Sequence, residues 1–206
     1  MSFTPPSPGG GAADFVPPPN CYYVDTNLAA SDPTRRVFNL AQLALAAGEA
    51  QALLDGLPYS IWFGNGSGGD LDLSTDYTGN FALYLMAVGD AATFIGISGA
   101  LPAGSGAFIS LMNIGASFAA DFAYNGHGLL MEYGSFYPDT GSTFGAVTLY
   151  FSSFGGECTI EDTLRLYYTD CDSGTIVNAA SNAVAIFCEY GPLPIVKGPC
   201  DTFDLL

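Results

Sequence analysis

Between Val37 and Leu164 the chain carries no lysine or arginine, and His127 is the one potentially cationic side chain in that interval. Its densest part, Phe81 to Phe151, consists of short apolar segments cut apart by Gly, Ser and Asn. Phe118, Ala120, Phe122 and Tyr124 alternate with Ser117, Ala119, Asp121 and Ala123, the period of two that marks a strand with one buried face. In Phe81-Ala-Leu-Tyr-Leu-Met-Ala-Val88 both parities are apolar, as suits a strand covered on both sides.

The same pattern predicts strands near 81–88, 92–98, 107–113, 116–124, 128–134, 143–151, 163–169, 183–189 and 193–197. Against these stands one helix over 39–55, with Asn39 as its cap, Leu40, Leu43, Ala47 and Leu54 as its apolar stripe, and Gly56 and Pro58 as its stop. Many short strands with Gly-rich turns and a single helix point to a mainly β fold, an antiparallel β-sandwich or jelly roll. No fixed-period repeat is evident, which argues against a propeller or a solenoid. Residues 1–20, with Pro5-Pro6, Pro8, Gly9–Gly11 and Pro17–Pro19, read as an extended arm, and 21–206 as a single β-rich domain.

Twenty acidic residues stand against Arg35, Arg36, Arg165 and Lys197, a net charge of −16. Nucleic-acid affinity comes largely from basic groups that displace counterions, so direct DNA or RNA binding is not expected, nor is docking on an anionic membrane. Residues 91–120 carry no charge and are long enough to suggest a membrane span, but Leu101-Pro-Ala-Gly-Ser-Gly106 breaks them in the middle, and two strands joined by a turn fit better. Only 12% of the residues are charged while 49% are hydrophobic, too few charges to cover the outside of a lone molecule.

Chemistry is thinly signalled. Asp70, Asp72 and Asp76 beside the Gly64–Gly69 loop form a candidate Ca²⁺ set; the alternative is one wet strand face. Gly96-Ile-Ser-Gly-Ala100 and Gly115-Ala-Ser-Phe-Ala119 each miss the nucleophile-elbow spacing by one residue. His127, in Asn125-Gly-His-Gly128, reads as a turn residue rather than a general base. Glu132, Glu157, Glu161 and Glu189 could supply a carboxylate pair, but nothing singles out two of them. Cys21, Cys158, Cys171, Cys188 and Cys200 are expected to be reduced thiols, and Trp62, Tyr22, Tyr23, Tyr167 and Tyr168 serve either as core or as a sugar platform.

No catalytic residue and no cofactor other than that candidate Ca²⁺ is expected. The reading that accounts for few charges, a β-rich body and a Pro/Gly arm is a non-enzymatic structural subunit of a virus or bacteriophage particle, placed on the exterior as capsid decoration or cement. Its expected partners are copies of itself and other particle subunits such as a major capsid protein, with Phe3, Phe15, Pro17, Pro18 and Pro19 as assembly contacts. The opening Met-Ser-Phe-Thr-Pro-Pro has neither a basic region nor an apolar core, so synthesis in a host cytoplasm and residence in the virion are expected. The alternatives are a tail, baseplate or fibre subunit, a carbohydrate-binding or adhesive β-sandwich, and a hydrolase with a carboxylate site.

Overall fold

The computed structural model describes residues 16–64, 66–88, 93–101, 108–124, 128–181 and 184–205. Every pairing between its strands is parallel, and successive passes of the chain stack as coils of a β-solenoid. This overturns the expected antiparallel sandwich or jelly roll. The period of two is the same in both arrangements, so alternation alone does not reveal strand direction.

The register shows how the coils align. Ile61 pairs with Leu85, Leu85 with Leu111, Leu111 with Met131, Met131 with Leu149, Leu149 with Leu166 and Leu166 with Cys188. These side chains are all buried, forming one inward column along the axis. Their spacing in the chain is unequal, because the loops between coils differ in length, and that irregularity hides the repeat from a fixed-period reading. Two long strands, Thr143–Tyr150 and Glu157–Tyr167, cross a corner marked by a register shift between Phe144 and Ala146. They join two sides of the coil into one sheet of 13 strands, while a second sheet of 6 strands closes the remaining side.

Inside, large rings from successive coils fill the space. Phe118 lies 5.0 Å from Phe122 and from Phe136, and Phe136 lies 5.2 Å from both Phe144 and Phe154. Buried Ser142, Ser152, Thr169 and Thr175 return their hydroxyls to nearby carbonyls, as when Thr175 donates to the carbonyls of Phe154 and Asp172. A buried hydroxyl ordinarily has such a partner, whereas that of Thr93 has none among the described residues. The strand Leu83–Ala87 is covered on its inner face alone, with Tyr84 exposed, so the expectation of burial on both sides is also corrected.

The expected helix forms over Ala41–Asp55 (α1) and ends at Gly56, whose φ of 72° is the left-handed cap conformation that glycine adopts without strain. Its buried face is not the expected one. Ala41, Ala44, Leu45, Gly48, Glu49 and Ala52 point inward, whereas Leu40, Leu43 and Leu54 are exposed and Ala47 is only partly buried. Small residues win because α1 lies flat on the first coil: a Cβ on Gly48 would stand 2.3 Å from the Tyr59 ring. Asn39 does not cap the helix; it is tied to Ser31, whose hydroxyl donates to its Oδ1 at 2.8 Å, and the capping position is Leu40. Among the described residues no helix is long and apolar enough to cross a membrane.

The cysteines are free thiols. Burial first of all pushes Cys158 and Cys171 up to about 12 and Cys188 up to about 11. A raised pKa leaves less thiolate, the reactive form. A thiol reagent at pH 8 is therefore expected to label the half-buried Cys21 and Cys200 first. Cys158, Cys171 and Cys188 should react only on unfolding. Peptide mapping of a labelling time course checks this, and early labelling of Cys158 would contradict it.

Candidate functional site

The outer face of the second sheet forms a grid of side chains. Asp70 pairs with Gly96, Gly96 with Ser117 and Ser117 with Tyr137, while Phe94 pairs with Gly115 and Asp72 with Ser98. Positions two apart on a strand share a face, so Ser98 stands beside Gly96, Ala119 beside Ser117 and Asp139 beside Tyr137. The middle of the grid is thus a patch of small residues, Gly96, Ser98, Ser117 and Ala119, framed by larger ones. A cavity of about 330 Å³ sits there, lined by Asp70, Gly96, Ser98, Ser117 and Asp139 among others.

Glycine makes this floor possible. A Cβ on Gly96 would lie 2.4 Å from Asp70 Oδ1, so the Asp70 carboxylate reaches across the space a larger residue would fill. On the same face Phe94 lies over Gly115, where a Cβ would meet its ring at 2.5 Å. The Phe94 and Tyr137 rings are 6.3 Å apart.

Sequence reasoning named several of these residues without bringing them together. Ser98 and Ser117 belong to the two near-miss elbow motifs, and both line the cavity. Asp70 lines it too, but Asp72 and Asp76 are engaged elsewhere. Asp72 caps the short helix Leu73–Asp76 (α2), accepting from Ser74 N at 2.9 Å, Ser74 Oγ at 2.6 Å and Thr75 Oγ1 at 2.9 Å. These bonds, the Ser74 hydroxyl first, hold its carboxyl below the usual range. The sign follows: this contribution to stability is fully present above the ordinary carboxylate pKa and is lost as pH falls below that value through the lowered pKa of the folded state. Asp76 accepts from Gln42 Nε2 at 2.6 Å. Among the described residues no group of three or more His, Cys, Asp or Glu is placed to hold a metal ion.

The four glutamates are likewise dispersed. Glu132 and Glu189 share an outward column, but Tyr150 and Tyr167 stand between them. At a strand spacing near 4.8 Å their backbones are roughly 14 Å apart, wide of a glycosidase pair. Glu157 accepts from Asn178 Nδ2 at 2.9 Å, and Glu161 is exposed at a corner. His127, Phe3 and Phe15 lie outside the described residues. Pro17 is buried and its carbonyl accepts from Arg36 Nη2 at 2.5 Å, while Pro18 and Pro19 are exposed.

One surface feature escaped the sequence reading. Asn113, Tyr133, Phe151, Tyr168 and Tyr190 each turn the corner from the first sheet towards the second, with φ between 47° and 55°. The four rings stack along the axis at 5.3, 4.9 and 5.2 Å with nearly parallel planes. Beside them Tyr150 and Tyr167 stack at 4.6 Å. The signal was an aromatic followed by Gly, Ser or Thr, as in Tyr133-Gly134, Phe151-Ser152, Tyr168-Thr169 and Tyr190-Gly191. Rings stacked on each other have little face left for a sugar, so Tyr167 and Tyr168 act here as a ladder rather than a platform. Tyr22 and Tyr23 are core residues.

Tyr168→Ala removes both of its stacks and is expected to cost about 1–3 kcal/mol although the residue is half exposed. Tyr168→Gly should recover about 1 kcal/mol of that loss, because glycine accepts the left-handed backbone. Urea unfolding of the two variants checks the order, and an alanine variant as stable as the parent would refute it.

No protein-family model, curated protein or solved structure matches the chain.

Proposed function

We propose that this solenoid is a non-enzymatic structural subunit on the exterior of a virus or bacteriophage particle, a decoration or cement module bound to shell proteins and to copies of itself. The observation that carries this reading is where the exposed apolar side chains lie. Apart from the corner ladder and the mid-stack Tyr84 and Phe94, they concentrate at the two ends of the coil stack. Leu40, Leu43, Leu53 and Leu54 cover the outer side of α1 at the first coil, followed by Leu57 just beyond it. Leu193, Ile195, Phe203 and Leu205 mark the last described coil. Lone soluble molecules rarely expose contiguous apolar patches, and such patches belong to interfaces. The net charge of −16 keeps the module away from packaged nucleic acid and suits an outer surface.

The test is incorporation. Leu43→Glu with Leu54→Glu, and separately Ile195→Glu with Leu205→Glu, are expected to leave the melting temperature nearly unchanged and to reduce co-sedimentation with particles. Full incorporation of both pairs would overturn the proposal. The arm is tested by deleting residues 1–15 rather than 1–20, since the shorter cut keeps the Pro17 carbonyl that Arg36 engages.

A further inference from the structure

We infer that the notch on the outer face of the second sheet binds a neutral, hydroxyl-rich saccharide. Its floor is small, and its polar groups are uncommitted: among the described residues the side chains of Asp70, Ser98, Ser117 and Asp139 make no hydrogen bond within the protein. Four such groups converge on a cavity of about 330 Å³, at the lower end of the size range of ligand sites.

The chemistry of these groups selects the ligand class. Ionised carboxylates accept hydrogen bonds and donate none, while serine hydroxyls do both. An occupant must therefore bring several donors to one small area. The lining holds two acids and no base, so phosphate, sulfate and carboxylate ligands are repelled. Sugar hydroxyls supply donors and acceptors without charge. Phe94 and Tyr137 lie on the same strands but outside the lining, their rings laid over Gly115 and Gly155, so the apolar surface offered to a sugar ring is the floor of Gly96 and Ala119.

The dimensions agree. Asp70 and Tyr137 stand at opposite ends of a column with Gly96 and Ser117 between them. With strands near 4.8 Å apart, the backbones at those ends are roughly 14 Å apart, and because the Asp70 carboxylate lies over Gly96 the open floor around Ser117, Ser98 and Ala119 has room for about one sugar ring. Gly96 also sets the depth, because any side chain there would displace the Asp70 carboxylate.

The experiment is calorimetric titration of the intact protein with a panel of short neutral gluco-, galacto-, manno- and xylo-oligosaccharides, with CaCl₂ and spermidine titrated separately. Saturable binding of at least one neutral saccharide is expected. Asp70→Asn and Ser117→Leu should each weaken it by about tenfold or more without lowering the melting temperature, whereas Glu161→Gln should leave it unchanged. Overturning results are an absence of saccharide binding across the panel, saccharide binding untouched by both notch variants, or saturation by Ca²⁺ or spermidine alone. The inference is separate from the particle reading: Asp70→Asn should still co-sediment with particles as the parent does.

Discussion

Replacing Phe136 by alanine is expected to lower the free energy of unfolding by about 3–5 kcal/mol, a larger effect than any surface change considered above. Phe136 is fully buried, and its ring meets Phe118, Phe144 and Phe154 at 5.0–5.2 Å. Phe118 comes from the coil before it and Phe154 from the coil after it, so the substitution opens a cavity at a junction between coils. A solenoid is held together by nearest-neighbour contacts, with no distant element to compensate for such a loss. Trp62, the one tryptophan, sits in the strand Tyr59–Phe63 of the first coil. Its fluorescence reports the N-terminal end, while circular dichroism reports all strands. In the variant the two urea transitions should separate, because the junction that couples the halves is weakened. A loss below about 1 kcal/mol would mean that the interior collapses around the missing ring and would refute the expectation.

The strand-forming residues were legible because alternation marks a pleated chain with one buried face. Direction was not legible. A two-residue corner such as Asn113-Ile114 looks in sequence like a hairpin turn, yet the strands it joins, Ile109–Met112 and Gly115–Phe118, lie in different sheets. The corners that would have marked the coils carry Tyr and Phe in a left-handed conformation ordinarily signalled by Gly or Asn. Stacking between coils offsets the strain of those backbones, and stacking is a property of neighbours in space.

The helix shows a second kind of failure. Its existence followed from composition and stop signals, but the leucines suggested the wrong buried face. Contact distance decided the matter: a helix lying flat on a coil end presents Ala41, Ala44, Gly48 and Ala52 inward with Leu45 as the one buried leucine, and Leu40, Leu43, Leu53 and Leu54 are left outside. The notch was partly visible, since Asp70, Ser98 and Ser117 each drew attention singly. Their chain separations equal no fixed period, and only the parallel register places them together.

Glu49→Leu is the second substitution with a large expected effect, a loss of about 2–4 kcal/mol. Glu49 is 3% exposed on α1 and accepts hydrogen bonds from Tyr59 Oη at 2.9 Å, from Thr78 N at 3.0 Å and from Thr78 Oγ1. One carboxylate thus ties the helix to the strand Tyr59–Phe63 and to the segment that follows α2. Burial, and then the Glu49 charge, push the Tyr59 hydroxyl far above its ordinary pKa, so it remains a donor at any working pH. Leucine matches the volume but removes every acceptor, leaving those donors buried without partners. Glu49→Gln keeps one oxygen for Thr78 and should cost about 1 kcal/mol. A double-mutant cycle with Tyr59→Phe separates the shared bond from packing, because the leucine penalty should shrink when the phenol is already gone. Equal penalties in both backgrounds would show that the Tyr59–Glu49 bond contributes nothing. In Glu49→Leu the amides of α1 should exchange faster than those of Leu129–Glu132, since the helix loosens before the coils do. A loosened α1 also displaces Leu43 and Leu54 from the apolar end surface, so under the proposed particle role co-sedimentation should fall together with helix protection.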